Sequence, residues 1–291
     1  MTVPQRTYSA PSQLPPSARI PGEIRPRNVR RFCTILFSFG LILASCFVTG
    51  TPTIRALCAF IPIMILIVGV ELTTTAVEHN VRNRERWRIR RTQIDPVQIF
   101  QKLLLILLHG IIGWTALIVL FHTVHPKNLA AELLRFGGGV VLLYSAAAII
   151  AEVVSVLFLG AGYSFPCPHR TPIAARTVGE FWNRRWNILV SAWLHTYILL
   201  PVARRRDASL GIFCAFLVSG LFHGWPILLG LGIWPALTMT AFFVIQGFAV
   251  LAENRLRIHT WPVPIARLWT WIILLAPSPL FFDPGLCLFG L

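Results

Sequence analysis

Leu217-Val-Ser-Gly-Leu-Phe-His-Gly224 lies inside an apolar run, 208–229, whose one histidine, with no Asp, Glu, Lys or Arg beside it, is His223. About 17–25 apolar residues suffice to cross a bilayer as a helix, so the run reads as a membrane span. An imidazole in hydrocarbon is costly without a partner, which makes His223 a functional-site candidate by default. It sits fifteen residues into the run, about 22 Å from the start at helical rise. Ser219 is one turn earlier on the same face and is placed to orient the ring. Gly220 and Gly224 form a small-xxx-small pair that lets another helix approach closely. Pro226 interrupts the hydrogen-bond ladder and is expected to open a polar pocket. A neutral imidazole can take a proton from a hydroxyl, the work of a general base. The competing reading is a packing histidine bonded to a neighbouring carbonyl.

The rest of the chain has the same character. Of 291 residues, 55% are hydrophobic and 13% charged, against about 25% charged in ordinary soluble domains. Apolar runs at 32–48, 54–72, 101–121, 137–162, 208–229, 233–252 and 266–282 read as spans, helical because lipid offers the backbone no other partner. Residues 1–31, rich in Pro, Ser and Arg without apolar period, read as a disordered basic tail. Residues 32–291 then form one transmembrane domain. The fold class is an all-α polytopic helix bundle of about seven to eight spans.

Segment 188–202 decides between those counts. It is apolar but only about 15 residues long, short for a crossing. If it crossed fully, Arg204 to Arg206 and the loop of Arg255, Arg257 and Arg267 would both face outside, against the positive-inside tendency. A re-entrant 188–202 leaves every strongly basic loop cytosolic, including Arg82 to Arg91. The net charge of +15 therefore reads as contact with cytosol and anionic membrane lipid, with no nucleic acid partner. Cys33, Cys46, Cys58, Cys214 and Cys287 lie in apolar runs and act as small hydrophobes. Cys167-Pro-His169 reads as a turn, and no metal is expected.

Thirty-six residues before His223 ends the stretch Thr177-Val-Gly-Glu-Phe-Trp-Asn-Arg-Arg-Trp-Asn187. Helical spacing puts Phe181, Arg184 and Arg185 on one side, with Trp182 and Trp186 four apart on another. Tryptophan and arginine suit the headgroup layer, which gives an interfacial anchor helix as one reading. The other is a lid whose arginines face an anionic ligand. His109 and Glu152 lie at similar depths, about 9 and 12 Å from the cytosolic ends of their spans at helical rise, and are expected to pair. His195 is placed to face the cavity of His223 or to lie interfacially beside Trp193 and Tyr197. His79, His122, His125, His169 and His259 lie in loops and carry little signal.

The two motifs, in this order and at this distance, resemble the wax-synthase-like branch of the membrane-bound O-acyltransferase (MBOAT) superfamily. Those proteins carry a Phe-Trp-Gly-Arg-Arg-Trp-Asn/His-type segment and then a Ser-Gly-Leu-x-His-Glu-type segment. Here they read Phe-Trp-Asn-Arg-Arg-Trp-Asn and Ser-Gly-Leu-Phe-His-Gly, within a resemblance covering about Phe165 to Glu253. The resemblance implies a helix bundle with an internal tunnel, in which an acyl group passes from acyl-CoA to the hydroxyl of a hydrophobic alcohol. It implies catalysis by His223 with Asn187 assisting, and substrate contacts from Trp182, Arg184, Arg185, Trp186 and Ser219. Acyl-CoA is then a co-substrate and no cofactor is required. The location implied is a cell membrane in a bacterium or endoplasmic reticulum in a eukaryote. Gly224 stands where the family has an acidic residue, and Asn183 where it has glycine, so the acceptor class stays open. The alternative function is a multi-pass small-molecule transporter, which also needs buried His and Glu groups; a haem or quinone protein is a third, with no regular histidine set to support it.

Overall fold

Hydrocarbon leaves the backbone only its own hydrogen bonds, and the apolar runs accordingly become long helices. The computed structural model describes residues 26–74, 90–123, 128–164 and 167–290. Residues 1–25 of the tail, with His79, His125 and Arg82 to Arg88, lie outside the described residues; α1 (Pro26–Ala44) begins at Pro26. It is followed by α2 (Pro52–Thr74), α3 (Pro96–His122) and α4 (Leu129–Gly160). Helices α3 and α4 begin five and eight residues earlier than hydropathy alone predicts, because polar caps start them. Asp95 accepts from the Val97 and Gln98 amides, and Asn128 from that of Ala131.

The motif segment is broken. Helix α5 (Val178–Glu180) continues as a π-helical turn, Phe181–Arg185. Beyond Asn187 the chain resumes as α6 (Ile188–Leu194), a second π-helical stretch, His195–Leu199, and α7 (Leu200–Arg205). The two halves meet at 102°. Helices α8 (Ala208–Leu231) and α9 (Ile233–Leu256) form a hairpin, and α10 (Val263–Leu275) and α11 (Pro279–Cys287) a second bent pair, at 40°. Among the described residues, six helices are long and apolar enough to cross a membrane, or up to eight if each bent pair is one span. The expected seventh span, 266–282, is thus bent, and α8 runs unbroken through Pro226, which is buried.

Neighbouring helices pack in a chain of contacts: α1 on α2, α2 on α8, α8 on α9, α9 on α11, α11 on α4, and α4 on α3. A two-residue antiparallel ribbon, β1 (Arg90–Arg91) with β2 (Tyr163–Ser164), ties the chain entering α3 to the chain leaving α4. The bent segment begins and ends on one side too. The Val178 amide donates to Glu253 near the end of α9, while Leu199 and Ala203 abut Gly211 near the start of α8. Residues 178–205 therefore enter and return, as a re-entrant element does.

The α8–α9 contact is tight because α8 offers glycine there. A Cβ on Gly224 would lie 2.5 Å from Thr240 Oγ1 and 3.0 Å from the Ala236 carbonyl oxygen. The missing acidic side chain at this position is therefore a packing consequence: the α9 backbone occupies its space. Replacing Gly224→Leu is expected to cost about 1–3 kcal/mol by overpacking, read as a lowered unfolding temperature of the detergent-solubilised chain.

Candidate active site

A cavity of ≈590 Å³ lies between the bent segment, α8 and α9. Along α8 it follows one stripe, Ala208, Ile212, Ala215, Ser219 and His223, spaced so that all five share a helix face. On α9 it touches Phe243, Val250 and Asn254. The bent segment contributes a polar stripe of Asn187, Ser191 and His195, four residues apart, with Val190, Leu194 and Leu199 beside it. From Ala208 to His223 the channel is about 22 Å deep at helical rise.

His223 occupies the deep end. Its Nδ1 is 2.8 Å from the Ser219 carbonyl oxygen, and its ring stacks on Phe243 with centroids 4.3 Å apart. A carbonyl can only accept, so Nδ1 carries the proton and Nε2 presents its lone pair in the neutral ring. Ser219 orients the imidazole as expected, through its backbone oxygen instead of its hydroxyl. The same contact to the carbonyl four residues back occurs at His109 and His122. Position on the cavity is what distinguishes His223.

Asn187 marks the break. Its φ of 40° is left-handed, a conformation asparagine tolerates better than most residues. The side-chain oxygen caps α6 from the Val190 amide at 3.5 Å, and among the described residues the NH₂ group of this cavity-lining side chain has no protein acceptor. Helices α6 and α7 run antiparallel to α8, with Leu199 against Gly211 and Leu194 in one cluster with Ala215. Twelve residues back from Leu199 is Asn187, and twelve on from Gly211 is His223. The register sets the two at about the same depth on facing walls.

The remaining candidates divide. Trp182, Arg184, Trp186 and Ser219 line the cavity. Arg185 does not: its Nε donates to Glu180 Oε1 at 2.7 Å, and its Nη1 to the carbonyls of Arg170 and Thr171. A guanidinium so occupied is a structural brace, and the expected pairing of Arg184 with Arg185 on one face is corrected. The cause is the π-turn, whose Trp186 amide bonds the Phe181 carbonyl five residues back at 2.8 Å. Phe181 accordingly stacks on Trp186, and Trp182 points into the core, donating its indole N–H to Gln246. Arg176 lines the cavity where Arg185 was expected. His109 and Glu152 do not pair either. Glu152 binds Lys102 at 2.6 Å, while His109 bonds its own helix and packs near Tyr144.

Several residues that the sequence left without a role build the wall. Thr177 caps the turn by accepting from the Glu180 amide, and the Glu180 carboxylate accepts in return from the Arg176 amide, one residue before the cap. Glu253, buried on α9, accepts from the Val178 and Gly179 amides and from the Trp269 indole. His169 takes the Asn187 amide on Nδ1 at 3.4 Å and lies against Trp186; burial holds its pKa below the ordinary value, keeping the ring neutral and able to accept. Cys167 Sγ donates to the His169 carbonyl, so this pair does form a turn. His195 and His259 also line the cavity.

Glu253→Ala strands three donors, and each buried one costs about 1–3 kcal/mol. We expect that variant to unfold at markedly lower temperature. Glu253→Gln, which keeps one acceptor oxygen, should lose less.

A comparison with known families falls on this same segment. Residues 167–245 match the model of the membrane bound O-acyl transferase family. A probable long-chain-alcohol O-fatty-acyltransferase 3 of Arabidopsis thaliana is 31% identical over 147 residues, covering 45% of this chain and 43% of that one. A second from the same plant, probable long-chain-alcohol O-fatty-acyltransferase 1, is 30% identical over 43% of this chain and 38% of its own. The long-chain-alcohol O-fatty-acyltransferase of Simmondsia chinensis is 32% identical over 28% of this chain and 26% of its own. The chain thus spans less than half the length of these curated relatives. The cavity-lining segment, with its two motifs in order, is thus similar to the membrane bound O-acyl transferase family and to these long-chain-alcohol O-fatty-acyltransferases.

Proposed function

We propose that this multi-pass membrane protein is an O-acyltransferase that moves an acyl group from a CoA thioester to the hydroxyl of a hydrophobic alcohol. The observation that carries the reading is the one cavity that His223 and Asn187 both line, with the imidazole held by its Nδ1 to the Ser219 carbonyl so that Nε2 is left for a substrate. In the reaction, Nε2 takes the hydroxyl proton as the alcohol oxygen bonds the thioester carbonyl carbon. Asn187 donates to the oxyanion that develops there. The C–S bond then breaks, the imidazolium returns its proton to the leaving thiolate, and ester and free thiol remain. No acyl-enzyme and no cofactor are needed.

At the other end, half-buried Arg176 suits the donor's phosphates, and exposed Arg184 borders the cavity nearer Asn187. Trp182, Trp186 and Ser219 shape the space between. The relatives' names, long-chain-alcohol O-fatty-acyltransferase, support an alcohol as acceptor. The basic loops put the mouth on the cytosolic face, of the cell membrane in a bacterium or the endoplasmic reticulum in a eukaryote.

The test is thiol release from acyl-CoA by membranes holding the chain, with 1-dodecanol or a sterol as acceptor, and ester detected by mass spectrometry. We expect alcohol-dependent release with an equal amount of ester. Release in neither case, with the protein present and folded, would overturn the proposal.

A further inference from the structure

The lining of the channel stops at His223. On α8 no residue beyond His223 lines the cavity, and on α9 none lies deeper than Phe243, among the described residues. What lies behind is an aromatic cluster, in which Phe281 is half-buried. Phe243 is 2% exposed and covers one face of the His223 ring. Phe281 stands 6.1 Å from that ring and 5.9 Å from Phe243 between centroids, and Phe242 is 5.2 Å from each of the two phenylalanines. Ile227 and Met239 complete the plug. The rim near Asn187 gives no better exit for hydrocarbon, because exposed Asn183 and Arg184 border it.

Three arms meet at a thioester carbonyl under attack: the CoA arm, the acyl substituent and the incoming alcohol. If the CoA arm descends from the cationic mouth, the acyl substituent continues on the opposite side of the carbonyl carbon, toward the phenylalanines. A cavity of ≈590 Å³ falls within the range of about 300–1,000 Å³ that houses one drug-sized ligand. It has room for a pantetheine arm and part of an acceptor, and none for a long chain beyond the histidine. From this aromatic wall we infer that the enzyme is a short-chain acyltransferase, taking acetyl-sized donors, and that Phe243, Phe242 and Phe281 set the limit. The inference rests on the acyltransferase reading above and narrows its donor.

Acetyl-, hexanoyl- and palmitoyl-CoA are to be compared with the full chain in lipid nanodiscs, by thiol release with 1-dodecanol. Forcing methylenes into a packed core costs enough to predict that acetyl-CoA outpaces palmitoyl-CoA at least about tenfold. In Phe281→Ala, one layer behind the histidine, the ratio should shrink; Phe281→Leu gives a milder version that preserves packing. Palmitoyl-CoA turned over as fast as acetyl-CoA by the native chain would overturn the inference and leave the acyltransferase reading intact. A second readout needs no acceptor: binding of the same esters followed by tryptophan fluorescence, since Trp182 and Trp186 line the channel. Palmitoyl-CoA should bind at least about tenfold more weakly than acetyl-CoA. Equal or tighter palmitoyl binding refutes the size limit, whereas no binding of any ester removes the acyltransferase reading itself.

Discussion

His223→Ala should reduce acyl transfer by about 10²–10⁴-fold, the usual contribution of a positioned general base. The fold should survive the change. The imidazole projects into a cavity, and its one hydrogen bond is to a carbonyl of its own helix, which retains its ladder partner. Unfolding temperature and detergent gel-filtration profile are therefore expected to match the native chain while thiol release collapses. Adding imidazole to the medium should restore part of the rate, because the truncation leaves a ring-shaped space at the end of an open channel. A His223→Ala chain that turns over normally would remove the proposed base.

Asn187→Asp is expected to be nearly as damaging, for a different reason. The aspartate keeps an oxygen to cap α6 and tolerates the left-handed backbone, so the 102° break should persist. What it loses is the NH₂ donor, and it sets a negative charge where an oxyanion develops. Removing one such donor costs about 10²–10³ in turnover elsewhere, and the added charge should put this variant at the upper end. Asn187→Gly separates the two roles: it accepts the positive φ but lacks both cap and donor. If the Asn187→Asp chain were as active as the native one, the break would be the whole of this position's task. The readout is turnover measured beside unfolding temperature, since only the glycine variant should lower both.

How far the sequence reaches depends on the kind of interaction. His223 is legible because an ionisable group in an apolar run has a cost that composition alone exposes. The re-entrant segment is legible because its length and the arginines after it cannot both be reconciled with a crossing. Arg185 is not, since its partner Glu180 lies five residues back and the π-turn changes which side chains share a face. Hydropathy contains no sign of a π-turn. The His109–Glu152 expectation fails because equal depth is weaker than adjacency, and Lys102 reaches Glu152 first. Glu253 and Gln246 stay silent for the same reason. Their partners, the Val178 and Gly179 amides and the Trp182 indole, come from an element more than sixty residues earlier. Asn187 stands out through its motif, but its second task as cap and hinge shows only in its backbone angles.

A channel that opens to the cytosol and ends at His223 underlies the whole mechanism. Its most direct test is side-selective labelling of Ser219→Cys, one turn from that histidine on the same stripe, in a chain whose six native cysteines are replaced. In sealed vesicles of known orientation, a membrane-impermeant thiol reagent should modify this cysteine from the cytosolic face alone, and acetyl-CoA should protect it. Modification only from the opposite face, or none from either, would contradict the channel on which the mechanism depends.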